Sequence, residues 1–242
     1  MNNIYIPPDI DDRIERAMSF FWQTRGVSKS GKINNVNSGQ VNRSAVVGGK
    51  QLDGFMQLFK NVLVENHLEE KSIFIGSNLE LPGYYRPCKK WDLLVVDEKK
   101  LVLALELKSQ VGPSFGNNFN NRTEEAMGSA LDIWTAFREN IFVDSKPWLG
   151  YMMLLEDCVK SSAPVAIRSN HFDVMDEFVG SSYTKRYELF CKKLVLERQY
   201  DARACLPQKK IRITKVTIHH RMSNCHSIPF WFPCCQRFLR IE

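Results

Sequence analysis

Two apolar runs separated by four charged residues constrain this chain more than anything else in it. Trp91-Asp92-Leu93-Leu94-Val95-Val96 and Leu101 to Lys108 flank Asp97-Glu98-Lys99-Lys100, the pattern of two strands joined by a charged turn into an antiparallel hairpin. In the second strand the period of two predicts Leu101, Leu103, Leu105 and Leu107 on one face. Val102, Ala104, Glu106 and Lys108 fall on the other. Charges that end so apolar a strand are either exposed at a sheet end or gathered around something.

The rest of the chain supplies material to cover such a hairpin. Helices are predicted from Ile10 to Phe21 and from Leu52 to Leu68, the second with Leu52, Phe55, Met56, Phe59, Leu63 and Asn66 along one face. A polar connection over 26–49 is expected between them, long enough to be a working loop. Ile73-Phe74-Ile75 reads as a short strand and Pro82 to Pro87 as a rigid turn segment. After the hairpin, 110–122 reads as an asparagine-rich loop, with Thr123 capping a long helix that places Glu124 and Glu125 in its first turn. Trp148 to Leu155 is a buried strand candidate, and His171 to Val179 and Tyr183 to Tyr200 read as helices. The expected fold class is α/β, a central mixed sheet flanked by helices, with one domain over 1–205 and a basic tail over 206–242. There is no internal repeat.

Composition narrows the partners. No run of about 18 apolar residues is present, and Met1 to Pro8 lacks the basic-then-apolar order of a secretory leader, so a cytoplasmic address is expected. The seven cysteines are odd in number and mostly unpaired in spacing, which favours thiols over a disulfide framework. The net charge of +6 permits a polyanionic partner. It resides in the tail, however, which carries seven Lys or Arg residues and a single acid, Glu242, so charge alone is weak support for nucleic acid. His219, His220, Cys225, His226, Cys234 and Cys235 also gather in the tail. Zinc sites use regular pairs such as Cys-x2-Cys, which the adjacent Cys234 and Cys235 do not supply. A divergent or altered tail, for example through a change of reading frame, fits better.

Asp92, near the start of one strand, and Glu106, late in its partner, can converge at one end of the hairpin. With the backbone carbonyl of Leu107 they offer hard oxygen donors of the kind Mg²⁺ takes. Lys108 shares a face with Glu106 about 7 Å further along the strand, where an ammonium could activate or orient an attacking water. Phosphodiester hydrolysis needs this combination. An acid followed at some distance by Glu-x-Lys also arises by chance, and a solvated strand end accounts for it equally.

The hairpin resembles the PD-(D/E)xK nuclease superfamily, with Trp91 where a proline commonly precedes the first acid. The likeness is closer from about Gly48 to Cys205. Gly48-Gly49-Lys50-Gln51-Leu52-Asp53-Gly54-Phe55, Lys90-Trp91-Asp92-Leu93-Leu94-Val95-Val96 and the long segment Glu106 to Arg122 are similar to the XhoI family of Type II restriction endonucleases. That resemblance implies a restriction-endonuclease-like core and a homodimer. It also implies Mg²⁺-dependent double-strand cutting of palindromic DNA (CTCGAG, cut after the first C) that leaves 5′-phosphates. It makes Asp92 and Glu106 metal ligands and Lys108 the water-activating residue, with a helix contribution from Gln57 or Glu65. Candidate DNA contacts are Asn117, Asn118, Asn120, Asn121 and Arg122, then Arg168, Lys185 and Arg186; Asn can read adenine and Arg guanine or phosphate. Two other readings stay open: a superfamily nuclease of repair or recombination without a fixed target, and a DNA-binding relative that has lost catalysis.

Overall fold

The structure is a computed structural model and describes residues 5–33, 50–142 and 146–209. In chain order its elements are α1 (Ile10–Ile33), α2 (Asp53–Glu65), β1 (Ile73–Ile75), β2 (Glu80–Pro82), β3 (Cys88–Lys90), β4 (Leu93–Asp97) and β5 (Lys100–Gln110). They continue with α3 (Phe115–Arg138), β6 (Trp148–Asp157), the single turn α4 (Val159–Ser162), α5 (Tyr183–Leu196) and β7 (Ala202–Lys209). Five strands form one mixed sheet in the order β1-β4-β5-β6-β7, and β2 and β3 pair separately. β4 runs antiparallel to both of its neighbours, β1 and β5, whereas β6 and β7 run parallel to β5.

Each face of the sheet is covered by helices, the two-sided burial that a parallel region requires. On one face α1 and α2 contribute Ala17, Phe21, Phe55, Phe59, Val62 and Leu63 against Leu93, Val95, Leu103, Leu105, Leu107, Met152 and Leu154. On the other, α3 and α5 set Ala126, Ala130, Ile133, Tyr187, Phe190 and Leu194 against Leu94, Leu101, Ala104, Tyr151, Met153 and Leu155. The predicted α/β class and the hairpin are observed. One detail of the hairpin differs, because Leu101 packs with the second layer rather than with Leu103. The register shifts at Val95/Val96, where Val95 faces Leu103 and Val96 faces Leu101. Val102 is therefore the extra residue of a bulge, which turns Leu101 to the opposite face.

Several other expectations change. α1 continues to Ile33, so the first part of the expected loop is helical; residues 34–49 lie outside the described residues. α3 begins at Phe115, which makes the asparagine-rich segment helix rather than loop and puts Thr123 inside it, its hydroxyl donating to the Phe119 carbonyl at 2.9 Å. Phe115, stacked on Tyr183, and Phe119, edge-on to Tyr187 and Phe190, anchor those turns. They continue the helical stripe through Ala126 and Ala130. Within 171–179 only Asp176–Phe178 is helical, as one 3-10 turn. Phe172, Met175 and Val179 are exposed there, so a helix would have had no apolar face to bury. β7 was not expected, and it occupies the sheet edge, where a proline such as Pro207 is tolerated. The His and Cys residues of the zinc reading, and the tail beyond Lys209, lie outside the described residues, while the first four residues of the expected tail complete β7.

The small β2–β3 sheet is pinned to α3 by Asp132. One oxygen of this buried carboxylate accepts the Tyr84 and Tyr85 N–H groups at 2.8 and 2.9 Å, and the other accepts Arg86 Nε at 2.7 Å. Gly83 is required at this turn, since a Cβ there would lie 2.5 Å from Asp132 Oδ2. Burial pushes the Asp132 carboxyl up, but the Tyr85 N–H, the Arg86 guanidinium and the Tyr84 N–H outweigh it and leave the group below its ordinary value of 3.8. A carboxyl lowered by folding stabilises the fold fully above its unfolded pKa and loses that contribution as pH falls through the folded value. Asp132→Asn is therefore expected to flatten the loss of stability below about pH 4, read from urea midpoints against pH. An acid limb unchanged from the parent would refute this role.

Candidate active site

β5 outruns β4, and the site lies where β4 stops. The last regular pair is Leu93 opposite Leu105. Beyond it the Asp92 N–H donates to the Leu105 carbonyl at 3.2 Å, and Asp92 Oδ2 accepts the Leu107 N–H at 2.8 Å. The Asp92 carboxylate thus replaces a missing strand neighbour. Because N–H and C=O of one strand residue point to the same edge, the Leu107 carbonyl also faces this side.

Glu106 points into the α3/α5 layer and is 1% exposed. Its Oε1 receives Lys108 Nζ at 2.9 Å and Lys89 Nζ at 3.1 Å, and its Oε2 accepts the Tyr200 hydroxyl at 3.1 Å. The same hydroxyl lies 3.1 Å from the Ala126 carbonyl. Lys108 is also 3.7 Å from Glu125 Oε2, and Glu125 pairs with Arg122 at 2.5 Å. The ring of Trp91 lies under Lys89, 4.0 Å from centroid to Nζ.

Burial raises Asp92; the Leu107 N–H and Lys108 oppose it without cancelling it, so the carboxyl sits above its ordinary range. Glu106 is buried more deeply, yet Lys89 and Lys108 hold it below its ordinary value. Burial lowers Lys89 despite the attraction of Glu106. For Lys108 burial acts in the same sense, but Glu106, Asp92 and Glu125 together outweigh it and leave the ammonium raised. A buried carboxylate with an unmet need for positive charge, beside a second carboxylate and a peptide carbonyl, suits a hard divalent cation. Among the described residues no group of three or more His, Cys, Asp or Glu side chains could hold a metal.

Asp92, Glu106 and Lys108 are thus brought together, and three neighbours that the sequence reading passed over join them. Lys89 carries one local signal, parity with Trp91 two residues on. Tyr200 looked like the end of a helix, yet it follows the end of α5 and leads into β7. Glu125 was placed in a first turn and stands instead in the middle of α3. Gln57 and Glu65 are not brought to the centre. They lie on α2, whose layer faces Leu105 and Leu107 rather than Glu106, and they are engaged with Asn61 and Arg13.

Of the expected DNA contacts, Asn117, Asn120 and Asn121 are exposed on the first turns of α3, with Asn118 and Arg122 half-buried between them. Arg168 is exposed in irregular chain, and Lys185 pairs with Glu188. Arg186 has a structural task, donating to Ser181 Oγ at 3.0 Å and to the Val165 carbonyl at 3.1 Å. Arg186→Ala is therefore expected to cost about 1–2 kcal/mol of stability in urea unfolding and to leave the salt dependence of DNA binding unchanged. A shallower salt slope at parental stability would reverse that assignment.

A mixed five-stranded sheet flanked by helices, with two acids and a lysine gathered at the end of an antiparallel hairpin, is consistent with the restriction-endonuclease-like fold. The chain belongs to the XhoI restriction endonuclease family, whose model, described as restriction endonuclease XhoI, matches residues 29–218; it is an endonuclease. The chain is 54% identical to the Type II restriction enzyme BstVI of Geobacillus stearothermophilus over 70% of its length and 78% of the relative's. It is 42% identical to the Type II restriction enzyme XhoI of Xanthomonas vasicola over 96% of each. To the Type II restriction enzyme AbrI of Azospirillum brasilense it is 44% identical, over 68% of this chain and 74% of that one. No solved structure matches. The match passes Cys205, where the sequence reading saw the likeness end. No helix among the described residues is long and apolar enough to cross a membrane.

Proposed function

We propose that this endonuclease makes Mg²⁺-dependent double-strand cuts in palindromic DNA, with Asp92, Glu106 and the Leu107 carbonyl as metal ligands and Lys108 beside the attacking water. The observation that carries the reading is the convergence at one hairpin end. There the Leu107 N–H holds Asp92 Oδ2 while Lys108 sits 2.9 Å from Glu106. A divalent ion bound there would polarise the phosphoryl oxygen and favour the hydroxide form of a coordinated water. Glu106 keeps the Lys108 ammonium charged and aimed, so that it can orient the water and steady charge on the phosphate. Tyr200 fixes the other Glu106 oxygen from within the core.

The exposed asparagines of α3 follow the catalytic strand directly, where duplex backbone or base edges would pass. Two copies related by a two-fold axis would present two centres to the two strands of a palindrome. The target expected from the family likeness is CTCGAG, cut after the first C with 5′-phosphate ends. Digestion of plasmids with known numbers of CTCGAG sites, with and without Mg²⁺, followed by sequencing of the ends, tests this. Discrete fragments ending at that position support the reading. Nonspecific degradation, or binding without cutting, sinks it in favour of a repair-type nuclease or an inactive relative.

A further inference from the structure

Lys89 brings a second ammonium to an oxygen that already has one. It stands in the middle of β3, between the exposed Cys88 and Lys90, and its side chain is only 12% exposed. Its strand belongs to the small sheet, paired through Leu81, and not to the sheet that carries Glu106. Its Nζ nevertheless reaches the same Glu106 Oε1 that Lys108 holds, at 3.1 and 2.9 Å.

One carboxylate needs one counter-ion, and two like charges on one oxygen repel. The formal charges of Asp92, Glu106, Lys89 and Lys108 already sum to zero, so a divalent cation would enter a centre that is neutral without it. Something must then leave Glu106. Lys108 is tied there by its strand position, two residues along, and by Glu125 at 3.7 Å. Lys89 keeps two other partners when Glu106 is taken from it: the face of Trp91, 4.0 Å away, which attracts a cation, and the Lys90 carbonyl at 3.4 Å.

We propose that Lys89 is a place-holding cation, which occupies Glu106 Oε1 in the absence of a divalent ion and yields to it, and so sets the metal affinity of the centre. This rests on the assignment of Asp92 and Glu106 as ligands. It makes Lys89 a positioning residue, whose removal favours metal binding rather than impairing it.

Calorimetric titration of the full chain with Ca²⁺ alone, without DNA, tests the idea. Lys89→Met keeps the apolar stem over Trp91 and deletes the charge; it is expected to tighten Ca²⁺ binding on the order of tenfold. Lys89→Arg keeps the charge and is expected to stay near the parental affinity. A folding defect weakens binding and cannot produce the tightening. Should Lys89→Met fail to fold, Lys89→Gln carries the same expectation. Unchanged or weaker binding by the charge-deleted variant overturns the inference. If Asp92→Asn abolishes Ca²⁺ binding in that case, the ligand assignment survives and only the role of Lys89 falls. If Asp92→Asn binds Ca²⁺ as the parent does, both fall.

Discussion

Replacing Lys108 by Ala is expected to lower the single-turnover cleavage rate about 10²- to 10⁴-fold while leaving the fold and DNA affinity nearly intact. The side chain is 24% exposed and stands at the open end of the site, so its loss leaves no sealed cavity. Glu106 retains a counter-ion in Lys89, so the carboxylate is not stranded without a partner. The loss should therefore fall on the chemical step. Rates measured at saturating Mg²⁺, together with gel-shift affinity in Ca²⁺, separate the two effects. Cleavage within a few-fold of the parent would remove Lys108 from the mechanism. Equal losses of rate and of DNA affinity would make it a binding residue only.

Glu106→Ala is expected to behave quite differently, costing about 3 kcal/mol of stability even without metal, the low end for breaking a buried ion pair. Among the described residues Glu106 is the one carboxylate in contact with Lys89, and the nearer of two for Lys108. Its removal leaves two ammonium groups facing one another, and withdraws one acceptor from the buried Tyr200 hydroxyl. Both lysines retain some access to water, which keeps the cost from the top of the range. Urea unfolding of metal-free protein is the measurement, and a parental midpoint would show that the buried network carries no stability. A dead Glu106→Ala enzyme is thus a poor test of ligation, because it is also a damaged one. Asp92→Asn is cleaner, since its amide oxygen can still accept the Leu107 N–H.

The hairpin and its acids were legible in the chain because they depend on local rules. Period-two alternation, a charged turn and an abrupt change from leucines to Glu106 and Lys108 need no knowledge of what lies beyond the hairpin. The helix at 115–138 was half legible. Its apolar stripe was visible from Ala126 onward, but four asparagines hid the two phenylalanines that begin it, because a polar composition masks the helical spacing of Phe115 and Phe119. Leu101 was assigned to the wrong face for a similar reason, since a single extra residue at Val102 reverses the parity of what precedes it.

By itself the sequence determined the hairpin, the class of chemistry its end can support, and the family through the segment from Glu106 to Arg122. Only the tertiary structure decided the company that Glu106 keeps. Lys89 comes from a separate two-stranded sheet pinned by Asp132, and Tyr200 arrives 94 residues later in the chain. Neither carries a local signal of this contact, because burial and shared charge are properties of packed elements and not of neighbouring residues. A buried carboxylate must find its partners wherever the fold delivers them, and here the fold delivers two lysines to one oxygen.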